Sequence, residues 1–239
     1  MYLVGGYDTL YPGVEYRQFV VNEDKTGVVQ LDNLPFEMRN GVCVTYSEDH
    51  ALLCASYSDP VGCQSFDGEK YTRTGSTVKN HYTGGMAAFN GGAIIVAGYK
   101  DRTGSTEFFD PNEPIQTMWQ EKMMTAEFQQ FDGFAMVGFK DSVYLFGGQS
   151  LDRSDSNAVY RMHGSYVWDR QNYSMTTPRT MFRALANDDY IVLIGSIGNL
   201  PVEFWKWTGT SFEVIRSRFT TDSWRSYPES FLVADGDFN

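Results

Sequence analysis

Residues 134–148 read FAMVGFKDSVYLFGG. Two apolar stretches are joined by the polar pair Lys140-Asp141, and the second ends in Gly147-Gly148. This pattern predicts a β-hairpin, which we label strand a and strand b, with a two-residue turn. Strand b is apolar on nearly every residue, as expected for a strand that is covered on both faces.

The hairpin recurs along the whole chain. Five apolar runs end in a small residue that is followed by a polar loop. The small residues are Gly5, Ala55, Ala97, Gly147 and Gly195, at spacings of 50, 42, 50 and 48 residues. A repeat of this length is typical of a four-stranded propeller blade.

Each of the four later runs is preceded by a predicted turn and a strand a. The predicted turns are Glu48-Asp49, Asn90-Gly91, Lys140-Asp141 and Asp188-Asp189. Asn-Gly is the strongest hairpin signal among them. The turn at Glu48-Asp49 sets the register of its hairpin, so Cys43 is expected opposite Cys54, and we interpret both as small apolar core residues in a reducing compartment.

Two further strands, c and d, follow each strand b. In four repeats an aromatic residue on strand c is followed by one on strand d: Phe66 and Tyr71, Phe109 and Trp119, Tyr160 and Trp168, and Trp205 and Phe212. The order a, b, c, d predicts a twisted sheet of four antiparallel strands in each repeat.

The repeat resembles the kelch-repeat β-propeller family. The matching features are the double glycines Gly5-Gly6 and Gly147-Gly148, the spaced aromatic residues, and an arginine that enters strand a, at Arg39, Arg179 and Arg225. The resemblance implies an all-β fold. With five strands a and five strands b, we predict a five-bladed kelch-type β-propeller.

The two ends of the chain complete one repeat. FLVADGDFN (231–239) followed by MYLVGG (1–6) aligns without gaps to residues 134–148. We therefore expect C-terminal strand a to pair with N-terminal strand b and close the ring, which removes two exposed sheet edges. The predicted blades are 1–40 with 230–239, 41–84, 85–131, 132–180 and 181–229.

Charge and composition exclude several classes of function. Acidic residues outnumber basic ones 30 to 19, giving a net charge of −11, which disfavours binding to nucleic acid and to anionic membranes. No run has the length of a transmembrane helix, and no basic signal-peptide start is present. We expect a monomer, cytoplasmic if the chain is complete.

Three cysteines make no disulfide framework. The sequon Asn172-Tyr173-Ser174 is given little weight, because such tripeptides arise by chance.

The b–c and d–a loops share one face of the predicted propeller, and binding residues favour loops on a rigid scaffold. A tyrosine follows the small pair at Tyr7, Tyr57 and Tyr99. These rings either form an aromatic binding surface or pack on neighbouring blades. The acidic residues that come after them, Asp8, Asp59 and Asp101, are expected to cap turns rather than bind a cation.

The arginines that enter strand a also have two possible roles. Arg39, Arg179 and Arg225 either clamp an acidic peptide by paired hydrogen bonds, as the kelch resemblance implies, or tie the d–a loop to a carbonyl or carboxylate. Trp224, beside Arg225, is either a rim anchor for a partner or packing for the closing blade.

No catalytic or metal-binding constellation is evident. His50, His81 and His163 fall at unlike positions of three repeats, whereas a metal site needs ligands brought together. We expect no cofactor and no enzyme activity. The leading prediction is a non-catalytic module that binds a protein or peptide partner through the loop face. The alternatives are a carbohydrate-binding or carbohydrate-active propeller that uses Trp205, Trp207 and Trp224, and a fragment of a larger kelch adaptor protein.

Overall fold

A computed structural model of the chain describes residues 2–4, 18–21, 28–30, 32–99, 101, 103–125, 128, 131–149, 152, 154–195, 201–208 and 210–220. Every strand lies in an antiparallel sheet. The strands are β1 Tyr2–Val4, β2 Gln18–Val21, β3 Val28–Gln30, β4 Val42–Thr45, β5 Ala51–Cys54, β6 Cys63–Phe66, β7 Tyr71–Arg73, β8 Gly85–Phe89, β9 Gly92–Val96, β10 Ser105–Phe109, β11 Trp119–Met124, β12 Ala135–Phe139, β13 Ser142–Phe146, β14 Ala158–His163, β15 Val167–Ser174, β16 Arg183–Ala186, β17 Tyr190–Ile194, β18 Pro201–Trp207 and β19 Phe212–Thr220.

These strands form one sheet per repeat. Four sheets have four strands each in the order a, b, c, d: β4 to β7, β8 to β11, β12 to β15 and β16 to β19. A fifth sheet contains β1, β2 and β3. We number the blades so that this three-stranded sheet is blade 1 and the four-stranded sheets are blades 2 to 5.

Three of the predicted hairpin turns are confirmed. Phe89 pairs with Gly92 and Phe139 with Ser142, so Asn90-Gly91 and Lys140-Asp141 are two-residue turns. Asn90 and Gly91 adopt φ values of 50° and 73°, the left-handed backbone that asparagine and glycine tolerate best. In blade 5, the Asn187 amide donates to the Tyr190 carbonyl across Asp188-Asp189.

The fourth predicted turn is wrong by one residue. In blade 2 the Tyr46 amide donates to the His50 carbonyl, so three residues, not two, form the turn. Ser47 stabilises this longer turn, because its hydroxyl donates to Asp49 and accepts from the His50 amide. The register therefore shifts, and Cys54 lies opposite Val42 instead of Cys43.

This shift also corrects the prediction for the cysteines. Cys54 lies directly opposite Cys63 on β6, with 4.2 Å between their Cα atoms, and the two form a disulfide. The Ala55 amide donates to the Gly62 carbonyl beside them, so the cysteines occupy the adjacent non-hydrogen-bonded pair, where antiparallel strands approach most closely. Both are buried.

The small pair at the end of strand b has a defined conformation. Ala55, Ala97, Gly147 and Gly195, which are its first residues in blades 2 to 5, all have positive φ, between 47° and 87°. At the second position, the Gly98 and Gly148 amides donate to the Phe131 and Arg179 carbonyls of the next blade. A Cβ atom on Gly148 would lie 2.8 Å from the Cβ of Phe134. The pair thus turns the chain and joins neighbouring blades.

The hydrophobic core lies between the sheets. Separate clusters of buried side chains fill the spaces between blades 2 and 3, between 3 and 4, and between 4 and 5. The inner strands β4, β8, β12 and β16 contact one another in that order, and their first residues surround one cavity. Sheets stacked face to face around a shared axis are the blades of a β-propeller.

The structure differs from the five-bladed expectation. Four blades are complete in the part of the chain that is described, and β1 pairs there with β2 alone. The segment expected to supply the missing strand, residues 230–239, lies outside the described residues. Within the described ranges, no helix is long and apolar enough to cross a membrane.

Candidate functional site

A repeated backbone hydrogen bond builds the face formed by the b–c and d–a loops. In blades 2, 3 and 4, the residue after the small pair donates its amide to a carbonyl of the d–a loop: Tyr57 to Arg39 at 2.9 Å, Tyr99 to Tyr82 at 2.9 Å, and Gln149 to Asp132 at 2.8 Å. Each hydrogen bond places one residue of the b–c loop next to one residue of the d–a loop. The contact occurs at the same position in all three blades.

In blades 2 and 3 these side chains form what we call the aromatic surface: Arg39, Asn40, Tyr57, Tyr82 and Tyr99. Tyr57 and Tyr99 are each 51% exposed. The Arg39 guanidinium lies 4.6 Å from the Tyr57 ring centre, in cation–π geometry. Tyr57 meets Tyr82 edge to face at 5.5 Å, and Asn40 donates to the Tyr82 hydroxyl at 2.7 Å. Two neighbouring blades thus share one continuous patch.

Tyr82 was missed in the sequence. In each blade, one residue of strand a pairs with the last residue of strand b: Val42 in blade 2 and Gly85 in blade 3. Arg39 and Tyr82 both lie three residues before it, so they occupy equivalent positions. Counting backwards from strand a would have found Tyr82. The tyrosines at the end of strand b were easier to recognise, because they follow the small pair directly.

Arg179 lies elsewhere. Its side chain is fully buried, and its guanidinium donates to Glu203 Oε1 at 3.0 Å and to the Gly195 carbonyl at 3.1 Å. Arg183 is the residue of blade 5 that is equivalent to Val42 in blade 2. Arg179 lies four residues before Arg183, whereas Arg39 lies three residues before Val42. Arg179 therefore ties the d–a loop to strand c of blade 5, which is the structural alternative.

His81 does the same in blade 3. It is fully buried and also stands four residues before the first residue of its strand a. Its Nδ1 lies 2.6 Å from the Ala97 carbonyl, and its Nε2 lies 2.9 Å from Glu107 Oε1. Glu107 also accepts the Val78 and Lys79 amides, each at 2.7 Å. Both pairs thus hold a loop against the end of strand b.

Blades 2 and 4 place uncharged residues at these two positions. The residues equivalent to the buried base and acid are Met38 with Gln64 in blade 2 and Phe131 with Tyr160 in blade 4, as the strand registers show. Base–acid pairs and uncharged residues thus occupy equivalent positions in different blades. Of the other two histidines, His50 is half-buried and His163 exposed, and among the described residues no group of three or more His, Cys, Asp or Glu side chains is placed to hold a metal.

Asp101 caps a turn, as predicted. It is buried, and its carboxylate accepts the amides of Thr103 and Ser105 at 2.8 and 2.6 Å together with both of their hydroxyls. Burial by itself raises the pKa of Asp101, but these hydrogen bonds outweigh it and hold the pKa below its ordinary value. Asp59 is exposed, and Asp8 lies outside the described residues.

The cavity on the propeller axis is small. Its volume is about 70 Å³, and Val42, Gly85, Phe134, Ala135 and Arg183 are among the residues that line it. A second cavity of about 110 Å³ lies in blade 2 between Phe36, Asp59, Gln64 and Arg73. Each has room for a few water molecules, whereas organic ligands usually occupy several hundred Å³. Neither cavity accommodates a ligand of that size.

The remaining predicted site residues fall into two groups. Trp205 is fully buried against Phe146, and Trp207 packs on Phe139 and Phe212, so both belong to the packing between blades 4 and 5. Tyr7, Trp224 and Arg225 lie outside the described residues. Of the seven predicted binding residues, the structure brings Arg39, Tyr57 and Tyr99 to one face.

Comparison with known proteins supports the fold. The solved structure titled "Structure of YjhT" matches with a TM-score of 0.67 at 12% sequence identity, covering 79% of this chain and 67% of that chain. At this identity the likeness concerns the β-propeller fold alone. No protein-family model matches the chain, and no curated protein matches it.

Proposed function

We propose that this chain is a non-catalytic binding module of kelch type that presents the aromatic surface to a protein or peptide. The observation that carries the proposal is the exposure of Tyr57 and Tyr99, each 51%, on the loop face, with the Arg39 guanidinium stacked on Tyr57. Exposed rings that are gathered into one patch often mark an interaction site.

The chemistry of the patch suits a protein interface. Tyrosine and arginine are enriched among the residues that dominate binding energy, because they offer a large contact area with a polar tip at low entropic cost. Stacking on Tyr57 orients the Arg39 guanidinium, which favours bonding to a carboxylate. An acidic peptide motif is therefore the kind of partner that we propose.

The proposal includes a closed ring of five blades. Residues 231–236 align with strand a of blade 4, and β1 aligns with its strand b. We propose that this segment pairs with β1 and completes blade 1, so that the loops of all five blades lie on one face. This pairing would occupy the second edge of β1.

Photo-crosslinking tests the binding role. A photoreactive residue is placed at Tyr57 or at Tyr99. The matched controls carry it at Lys140 or at His163, which are also exposed but lie on the opposite face. We expect one protein to be crosslinked from the tyrosine positions in the source cells and not from the controls. Arg39→Ala should then weaken the binding of that partner by roughly 2 kcal/mol, about thirtyfold in affinity.

Two results would overturn the proposal. One is the absence of any protein adduct from the tyrosine positions, and the other is equal labelling from both faces. If the tyrosine variants instead lose binding on a glycan array, the carbohydrate alternative replaces the protein partner.

A further inference from the structure

The tripeptide Asn172-Tyr173-Ser174 lies on an outer edge of the propeller. It belongs to β15, strand d of blade 4, which pairs with β14 alone among the described strands. Ser174 pairs with Ala158 and Arg170 with Tyr160. Three residues of β15, with Asn172 in the middle, therefore bulge opposite Val159, a distortion that is common at sheet edges.

The side chains of the tripeptide alternate. Asn172 and Ser174 are both exposed, and Tyr173 points the other way. Tyr173 packs against Trp205 and Phe212 of blade 5 at 5.9 and 6.1 Å, and burial raises its pKa to about 12. The half-buried tyrosine anchors the segment, and Asn172 and Ser174 both face solvent.

A second, independent feature concerns the compartment. Cys54 and Cys63 form a disulfide in the core of blade 2. Disulfides form and persist in oxidising compartments and are rare in the cytosol. In eukaryotes, the secretory compartment that forms disulfides also glycosylates exposed Asn-X-Ser sequons.

We propose that Asn172 is an N-glycosylation site that is used in the compartment where the Cys54–Cys63 disulfide forms. In this reaction Asn172 Nδ2 forms a bond to C1 of the first sugar of a lipid-linked oligosaccharide and loses one proton. The bond from C1 to the diphosphate oxygen of the donor breaks, and the lipid diphosphate leaves with that electron pair. Nothing is oxidised or reduced in this step.

A glycan here would have a physical role. β15 is an eight-residue edge strand, and an unpaired edge of that length is a template for pairing with another chain. A bulky sugar on Asn172 would block such pairing. Asn172 is in blade 4, whereas the aromatic surface lies on blades 2 and 3, so a glycan leaves that surface accessible.

The first test uses the chain isolated from its source cells. Trypsin releases residues 171–179, which contain the sequon, and without reduction it releases residues 40–70, in which fragmentation locates the link between Cys54 and Cys63. We expect peptide 171–179 to carry a sugar that peptide N-glycosidase removes with conversion of Asn172 to aspartate, and we expect the disulfide in the same sample. An unmodified peptide 171–179 throughout the sample overturns the proposal.

The second test uses variants of the full chain directed into the secretory pathway of a eukaryotic cell. Ser174→Thr retains a sequon and Ser174→Ala removes it, although both change the same exposed position. We expect the enzyme-sensitive mass with the wild type and Ser174→Thr, and its loss with Ser174→Ala and Asn172→Gln. If Ser174→Ala keeps the sugar, or if the wild type lacks it while the disulfide is formed, the assignment of Asn172 is wrong.

Discussion

One pair of positions, on the d–a loop and on strand c, is filled differently in neighbouring blades. Arg179 with Glu203 is a buried ion pair and His81 with Glu107 is a buried hydrogen-bonded pair, whereas Phe131 with Tyr160 is aromatic. These residues occupy equivalent positions relative to strands a and b, and they are buried in both cases. An acid buried in this way depends on its base, since an unpaired charge in the core is costly.

Removal of the base should therefore destabilise the protein strongly. We expect Arg179→Met to lower the free energy of unfolding by about 3 to 5 kcal/mol, because Glu203 stays buried without its cation. The double variant Arg179→Met/Glu203→Leu should recover much of the loss. Urea unfolding measures both. Arg39→Met, at a half-buried loop arginine, is the control and should change stability by about 1 kcal/mol or less. Equal losses at Arg39 and Arg179 would contradict this account.

Asp101 should make stability depend on pH. Its folded pKa lies below the ordinary value, so the carboxylate stabilises the protein above pH ~4, and this contribution is lost as the pH falls through the folded pKa. We expect Asp101→Asn to cost about 1 to 3 kcal/mol at pH 7, with the difference from wild type shrinking below pH ~4.

Unfolding curves between pH 7 and pH 3 check this prediction. Asp67→Asn is the matched control, because Asp67 also accepts two backbone amides but is much less buried than Asp101. Its effect should be smaller at every pH. A difference between Asp101→Asn and wild type that stays constant across the range would show that the charge on Asp101 is not what stabilises the turn.

Sequence reasoning succeeded for residues whose role follows from the chain itself. Tyr57 and Tyr99 follow a small pair that the backbone requires, so their place on the loop face could be predicted. The difference between Arg39 and Arg179 could not, because a shift of one residue relative to strand a separates a half-exposed side chain from a buried one.

At the scale of elements, the hairpins follow from two local signals. A uniformly apolar strand b and a turn of suitable residues define most of them. Blade 2 is the exception, because its turn is lengthened by the hydroxyl bonds of Ser47, which no pattern of hydrophobic residues reveals. That extra residue moves Cys54 away from Cys43, and the pairing with Cys63 follows from the register of the neighbouring strand.

The disulfide should stabilise blade 2. It closes a short loop, since the cysteines are nine residues apart, and a cross-link of this size contributes about 2 to 3 kcal/mol. We expect Cys54→Ala/Cys63→Ala to lower the free energy of unfolding by about that amount, and a reducing agent to destabilise the wild type but not the variant.

Cys43→Ala provides the control for the disulfide, because Cys43 lies next to the pair but outside it. It should leave the effect of the reducing agent intact. If the reducing agent destabilises Cys54→Ala/Cys63→Ala as much as wild type, the Cys54–Cys63 link is not what it acts on.

At the scale of the whole molecule, the even spacing of the repeats was enough to predict a β-propeller. Each sheet buries its two faces against its neighbours, so a chain of such sheets has to stack around an axis. The number of complete blades is a different matter, because it depends on contacts between segments that are far apart in the sequence. Among the described residues, four sheets have four strands each and blade 1 has three.

The proposed ring closure would hold the loops of all five blades on one face. Val233 aligns with Met136 and Leu3 with Leu145, and Met136 pairs with Leu145 in blade 4. A chain carrying Leu3→Cys/Val233→Cys in a Cys43→Ala background places two thiols across the proposed pair. Leu3→Cys/Asp235→Cys is the control, because Asp235 would lie on the same face but two residues out of register, beyond disulfide reach.

The measurement is mass spectrometry of the monomer fraction after mild oxidation. We expect an intrachain link between positions 3 and 233 and little or none between positions 3 and 235. Links that form only between chains, or no link at position 233, would contradict it, since residues 231–236 would then not pair with β1.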